Sequence, residues 1–192
     1  MSIYSIIYHQ FFKRHYFALT GSARVLPDFL IIGAKRCGTT SLFTHLPEHP
    51  SITSSHHDNM GFFNDNFNLG INWYRSFFIK KSHKKKIENK YGKCLSFDTT
   101  TTYMESKTTA QNVKKVKPDM KIIVMDRNPI DRAYSQYQRA IKDNIESRKF
   151  EDSIDDEIKK IDNEKDISFK INRNESNYIK KGIYYEQLKP WF

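Results

Sequence analysis

The 192-residue chain carries 32 lysines and arginines against 22 aspartates and glutamates, a formal net charge of +10, with 38% hydrophobic and 14% aromatic residues. That length and apolar content suit one compact domain with its own core and exclude a disordered chain, while the only cysteines, Cys37 and Cys94, exclude a disulfide framework and a zinc site built on cysteines. The basic excess favours an anionic partner (nucleotide, acidic glycan, nucleic acid or anionic membrane), although charge alone fits a solvated basic surface equally well.

In chain order, Met1 to Leu19 is apolar and aromatic but interrupted by His9, Lys13, Arg14 and His15. It lacks the charged start and apolar core of a cleaved signal peptide, and no apolar run reaches the roughly 18 residues that span a bilayer. It reads as a packed N-terminal helix, with attachment to a membrane surface as the other reading. Residues 1–26 are thus an N-terminal segment and 27–192 the domain. A cytoplasmic protein with at most peripheral membrane contact is expected.

Phe29 to Ile32 is a short apolar run ended by glycine, as in a buried parallel strand. Thr39 to Leu46 reads as a helix stopped near Pro47, and Asn72 to Ile79 as another. Lys80 to Lys90 reads as a lysine-rich surface loop. Cys94 to Phe97 is a second buried strand, and Ser106 to Val116 a helix ending before Pro118. Lys121 to Met125 is a β-branched strand bounded by charges. A helix follows from Pro129 to about Asn144, with Asp131 in its first turn. Ile154, Ile158 and Ile161 recur at helical spacing within Glu151 to Asp166, Asp166 to Asn177 is a polar loop, and Gly182 to Phe192 is a final amphipathic helix. Alternating strands and helices predict an α/β fold, a P-loop-type parallel sheet flanked by helices on both faces.

Gly33-Ala34-Lys35-Arg36-Cys37-Gly38-Thr39-Thr40 lies between a predicted strand and a predicted helix, the setting a phosphate loop needs. Gly33 permits a sharp exit from the strand and Gly38 a close backbone approach to a ligand. The amides of Gly38, Thr39 and Thr40 would meet an anion at the helix N-terminus. A nucleoside-triphosphatase loop needs lysine directly after the second glycine; here Thr39 stands there, and Lys35 and Arg36 lie inside the loop. That suits a single 5′-phosphate with a transferable group beside it. An ordinary strand-to-helix turn is the plain alternative. Arg127, at the end of the strand before Pro129, and Ser135, two helical turns on, can face one crevice and hold a second phosphate; the alternative is that Arg127 pairs with Asp126 or Asp131.

The segment Ile31 to Leu42 resembles the 5′-phosphosulfate loop of carbohydrate sulfotransferases, and Arg127-Asn128-Pro129 followed by Arg132-Ala133-Tyr134-Ser135 resembles their 3′-phosphate motif. Gly61-Phe62-Phe63 and Gly70-Ile71-Asn72-Trp73-Tyr74 are similar to the intervening segment of the heparan sulfate N-deacetylase/N-sulfotransferase type and its microbial relatives. Lys181-Gly182-Ile183-Tyr184, with Leu188 and Trp191, resembles the family's later helix. The resemblance runs from Pro27 to Phe192. It implies transfer of the sulfuryl group of 3′-phosphoadenosine 5′-phosphosulfate to a hydroxyl or amine, with no metal and no nucleic-acid partner. Arg36 takes the place of the loop's catalytic lysine; Lys35, Arg36, Cys37, Gly38, Thr39, Thr40 and Ser41 would hold the 5′-phosphosulfate, and Arg127 and Ser135 the 3′-phosphate.

Two departures accompany the resemblance. Where the family carries a glutamate as general base, this chain has Asn59, which cannot usefully accept a proton; Asp58 or His57 would have to substitute. The family also continues with a further strand and a basic loop, so the chain reads as C-terminally truncated. Asp98 reads as a residue that orients the acceptor or pairs with a lysine, Trp73 and Tyr74 as core, and Lys84-Lys85-Lys86 as a solvated run or a lure for an acidic glycan. A P-loop kinase and a non-catalytic anion-binding module are the rival functions.

Overall fold

The computed structural model describes residues 17–163 and 177–192. The loop expected from Asp166 and nearly all of the helix expected within Met1 to Leu19 lie outside them. Four strands form one parallel sheet: β1 (Phe29–Ile31), β2 (Ile52–Ser54), β3 (Leu95–Thr99) and β4 (Lys121–Ile123), in the order β2-β3-β1-β4. Regular pairing of β4 stops at Ile123, yet Met125 still donates to Gly33 O and Ala34 to Met125 O, so the ladder runs on into the phosphate loop.

Alternation along β1 sorts its side chains to two faces. Leu30 and Ile32 join a large cluster with Phe62, Phe63, Trp73, Tyr74 and Val113. Phe29 and Ile31 join Phe97 beneath Leu42, Phe43 and Leu46. The first face is covered by α2 (Ile71–Arg75) and α4 (Lys107–Val116), the second by α1 (Thr39–His45). The sheet is therefore sandwiched as expected, and Trp73 and Tyr74 are core.

Lys80 to Lys90 is not a loop: α3 spans Lys81–Tyr91 and stops at Gly92, whose φ is 81°. Lysine and glutamate are good helix formers, and Lys84, Ile87 and Glu88 turn one half-buried stripe inward. Lys84 Nζ lies 2.9 Å from Asp28 Oδ2. Asp28 immediately precedes β1, so the lysine helix is tied to the end of the sheet opposite the phosphate loop.

Downstream lie α5 (Pro129–Lys142) and α6 (Phe150–Asn163). The expected helix over Gly182 to Phe192 is instead broken: 3-10 turns at Lys180–Gly182 and Lys189–Trp191 flank a short α7 (Tyr184–Leu188). Pro190, with no N–H to donate, breaks the α-helical ladder there. No helix among the described residues is long and apolar enough to cross a membrane.

Candidate active site

The phosphate loop leaves β1 at Gly33. A Cβ on Gly33 would fall 2.9 Å from Met104 Sδ and 3.2 Å from Thr101 O, so only glycine fits against the segment that follows β3. Gly38, with φ 89°, caps α1 in the left-handed region where glycine is at ease. At the start of α1 the amides of Ser41 and Leu42 donate to Gly38 O, at 3.0 and 3.3 Å, and those of Thr39 and Thr40 stand before them at the helix N-terminus, where the dipole favours an anion. Thr39 is buried against the loop; Lys35, Arg36, Thr40 and Ser41 are exposed.

Arg36, itself at φ 72°, sends its side chain across the crevice. Its Nε and Nη2 each lie 3.2 Å from Ser135 Oγ on α5. The loop's guanidinium and the second motif's hydroxyl thus meet directly. Asn128 shapes that second motif: its side chain accepts from the N–H of Ile130 at 2.9 Å and of Asp131 at 3.4 Å, capping α5. Arg127 is exposed just before the cap and makes no ion pair with Asp126 or Asp131 among the described residues.

Tyr184 was not foreseen as a site residue. Its hydroxyl donates to Arg127 O at 3.0 Å and lies 3.6 Å from Cys37 Sγ, bracing one motif against the other. Burial, with the Cys37 thiol beside it, pushes the Tyr184 phenol up to about 12, so it stays a neutral donor. Arg132 is fully buried behind the crevice, donating to Gln136 Oε1 at 2.7 Å and to Tyr178 O. Lys181 is buried too, 3.6 Å from Glu105. Only an arginine or lysine within a resemblance motif marked these positions in the sequence.

The segment expected to supply a base sits on the same side. Asn59 N donates to Thr99 O, and its side-chain oxygen accepts from Thr101 N at 3.0 Å and Thr101 Oγ1 at 3.1 Å. Since Gly33 packs on Thr101, the phosphate loop and the Asn59 segment share one wall. Asn59 has φ 56°, a left-handed conformation that asparagine tolerates and glutamate resists. Its oxygen is a tether. Asp58 next to it is half-buried, and its Oδ1 is buried without a hydrogen-bond partner. Burial raises the Asp58 carboxyl above its ordinary value, with hydrogen bonds from Asn59 opposing that rise. His57 is exposed, its ring edge-on to Phe77 at 5.9 Å.

A parallel sheet with a glycine phosphate loop at its crevice, met by an arginine–serine motif at the start of α5, has the architecture of a group-transfer α/β fold. The chain belongs to the sulfotransferase family: the family model described as "Sulfotransferase domain" matches residues 26–192. It is 36% identical over 119 residues to human "Bifunctional heparan sulfate N-deacetylase/N-sulfotransferase 2", covering 59% of this chain and 13% of that protein. The human enzyme named with the number 1 is 32% identical over 118 residues, covering 58% and 13%. This chain therefore spans a small part of the length of those curated relatives. Its fold resembles the crystal structure of a sulfotransferase from Alicyclobacillus acidocaldarius, with a TM-score of 0.63 and 27% identity, covering 87% of this chain and 68% of that one.

Proposed function

We propose that this chain moves the sulfuryl group of 3′-phosphoadenosine 5′-phosphosulfate to a hydroxyl or amine of a carbohydrate-like acceptor. The observation that carries the reading is the meeting of Arg36 and Ser135, which joins the two anion motifs across one crevice. In this reading Gly38, Thr39, Thr40 and Ser41 hold the 5′-phosphosulfate with Lys35, while Arg127 and Ser135 hold the 3′-phosphate; the Cys37 amide, expected beside them, donates to Ala34 O within the loop. The acceptor oxygen or nitrogen attacks sulfur in line, and the bond from sulfur to the bridging oxygen breaks. Arg36 stabilises the charge that gathers on that oxygen as 3′-phosphoadenosine 5′-phosphate leaves, which is electrostatic catalysis by a pre-placed cation. A protonated arginine gives no proton at neutral pH, so the nucleotide departs as an anion.

The acceptor's proton goes to Asp58. Its half-buried carboxylate has an unclaimed oxygen and a raised proton affinity, both suited to a base. His57, the other candidate, is turned against Phe77. We take residues 27–192 as the catalytic unit, with 1–26 as an N-terminal extension. Both thiols are free, which suits a reducing cytoplasm. The relatives' names make an amine-bearing heparan-type polysaccharide the first acceptor to try. Calorimetry with 3′-phosphoadenosine 5′-phosphate, followed by transfer of labelled sulfate from the intact nucleotide, tests the reading. Absence of nucleotide binding by the folded chain overturns it, and transfer of phosphate from ATP favours a kinase instead.

A further inference from the structure

Asp98 does not meet a lysine. It lies at the end of β3, its side chain wholly buried in the wall shared by the phosphate loop and the Asn59 segment. Three hydroxyls converge on it: Tyr103 Oη at 2.8 Å, Tyr74 Oη at 2.9 Å and Thr100 Oγ1 at 3.2 Å. A buried carboxyl is costly unless such donors compensate it.

Two of those hydroxyls have a second duty. Tyr103 Oη accepts from the backbone N–H of Phe62 at 3.0 Å and of Phe63 at 3.4 Å. Thr100 Oγ1 accepts from the N–H of Gly61 at 3.4 Å. Each hydroxyl owns one hydrogen. A lone hydroxyl rotor can point that hydrogen in several directions. Here the carboxyl takes it, so the oxygen's lone pairs are left aimed at the three amides. The segment so held follows Asp58 and Asn59 with only Met60 between, and the chain there bends through φ 56° at Asn59 and φ 64° at Gly61. On its other flank Thr101 holds Asn59.

We propose that Asp98 is a positioning residue: through Tyr103 and Thr100 it fixes the Gly61-Phe62-Phe63 backbone and thereby sets where the Asp58 carboxylate stands relative to the acceptor. The proposal rests on the assignment of Asp58 as the base. Asp98 touches no reacting atom. It acts as the fixed end of a two-link chain, carboxyl to hydroxyl to amide, whose free end is the loop. Tyr74, whose hydroxyl donates only to Asp98 among these bonds, completes the anchor.

Asp98→Asn, Tyr103→Phe and Thr100→Val in the full chain test this, with Asp58→Asn alongside. Tyr103→Phe removes one oxygen and leaves the ring against Phe63. The first readout is amide hydrogen exchange at Gly61, Phe62 and Phe63, referred to the amides of β1. Exchange at the three should quicken by about 10-fold while β1 stays protected, the mark of local opening. The second is kinetic: kcat should fall roughly 10- to 100-fold, as expected for a misplaced catalytic group, with KM for the nucleotide and affinity for 3′-phosphoadenosine 5′-phosphate held within about 2-fold. Unchanged exchange at the three amides overturns the proposal. So does a loss of nucleotide affinity in step with kcat, which marks general unfolding. Faster exchange with undiminished kcat, while Asp58→Asn is inactive, overturns it as well. Full activity in Asp58→Asn removes Asp58 as the base, a different failure, and the positioning proposal falls with it even where exchange shows that the anchor exists. Should Asp98→Asn fail to fold, Tyr103→Phe decides.

Discussion

Arg36 and Ser135 stand 99 residues apart in the chain, yet both Nε and Nη2 of the arginine lie 3.2 Å from the serine hydroxyl. One side chain therefore serves both anion motifs. Removing either partner should not cost the same thing. Ser135→Ala deletes one hydrogen-bonding group and should weaken 3′-phosphoadenosine 5′-phosphate binding by about 10-fold. Arg36→Ala removes the charge that the proposed mechanism sets against the leaving oxygen and should lower kcat by about 100-fold or more. Arg36→Lys should recover only part of that, because a point charge replaces a planar fork. Calorimetry separates the binding effect, and single-turnover kinetics the chemical one.

With Asp58 as the proposed base, its carboxyl should set the pH dependence of turnover. The base works ionised, and burial holds its carboxyl above the ordinary aspartate value. The rate should therefore fall as pH drops, over a range higher than an exposed aspartate would give. Asp58→Asn should remove that acid limb and cut kcat by roughly 100- to 10,000-fold, the span of general-base contributions. A pH profile of kcat for the two proteins checks both statements.

Two other carboxyls pull stability in opposite directions with pH. Burial raises Asp98 from 3.8 to about 6, against the hydrogen bonds from Tyr103, Tyr74 and Thr100. The folded state then holds a proton that the unfolded chain releases, so this contribution is full below pH 3.8 and is lost as pH rises through about 6. Glu146 behaves in reverse. Hydrogen bonds from the Arg148 side chain, set against burial, hold it down from 4.5 to about 2, and its contribution is present above 4.5 and lost as pH falls through about 2. Urea unfolding followed across pH should show Asp98→Asn flattening the first slope and Glu146→Gln the second.

Asn128 is a helix cap whose loss should be felt at the proposed nucleotide site. Asn128→Ala should cost about 1 kcal/mol of stability, the usual value for removing such a cap. It should also weaken nucleotide binding, because the neighbouring Arg127 backbone loses its frame. Asn128→Asp, which keeps the accepting oxygen, should restore both in the same melts and titrations.

The elements that the sequence disclosed are those with local causes. Phe29 to Ile32 is apolar and ended by a glycine, and Asn128-Pro129 announces α5 by cap and ring geometry. The strand at Ile52–Ser54 escaped notice because three half-buried residues give neither a run nor an alternation. The lysines of α3 read as a surface loop by their charge, whereas their helix propensity prevails in the fold. At the candidate site, the glycine loop and the stretch from Arg127 to Ser135 were legible as local patterns. Tyr184 bracing Arg127 and Cys37 was not, and neither was Asp98 gathering the hydroxyls of Tyr74 and Tyr103. Those contacts exist only once distant segments pack, and no spacing in the chain encodes them. Asn59 was legible as a misfit, whereas its left-handed backbone, the physical reason a glutamate is unwelcome there, needed the structure.

The Tyr184 bridge also bears on how the crevice comes into being. The glycine loop leaves the ribosome first and the arginine motif long after it, but the hydroxyl that ties the two together is translated later still. A nascent chain stalled before Tyr184 would carry both halves of the cradle without their clasp. Capture of nucleotide should therefore lag behind folding of the sheet during synthesis.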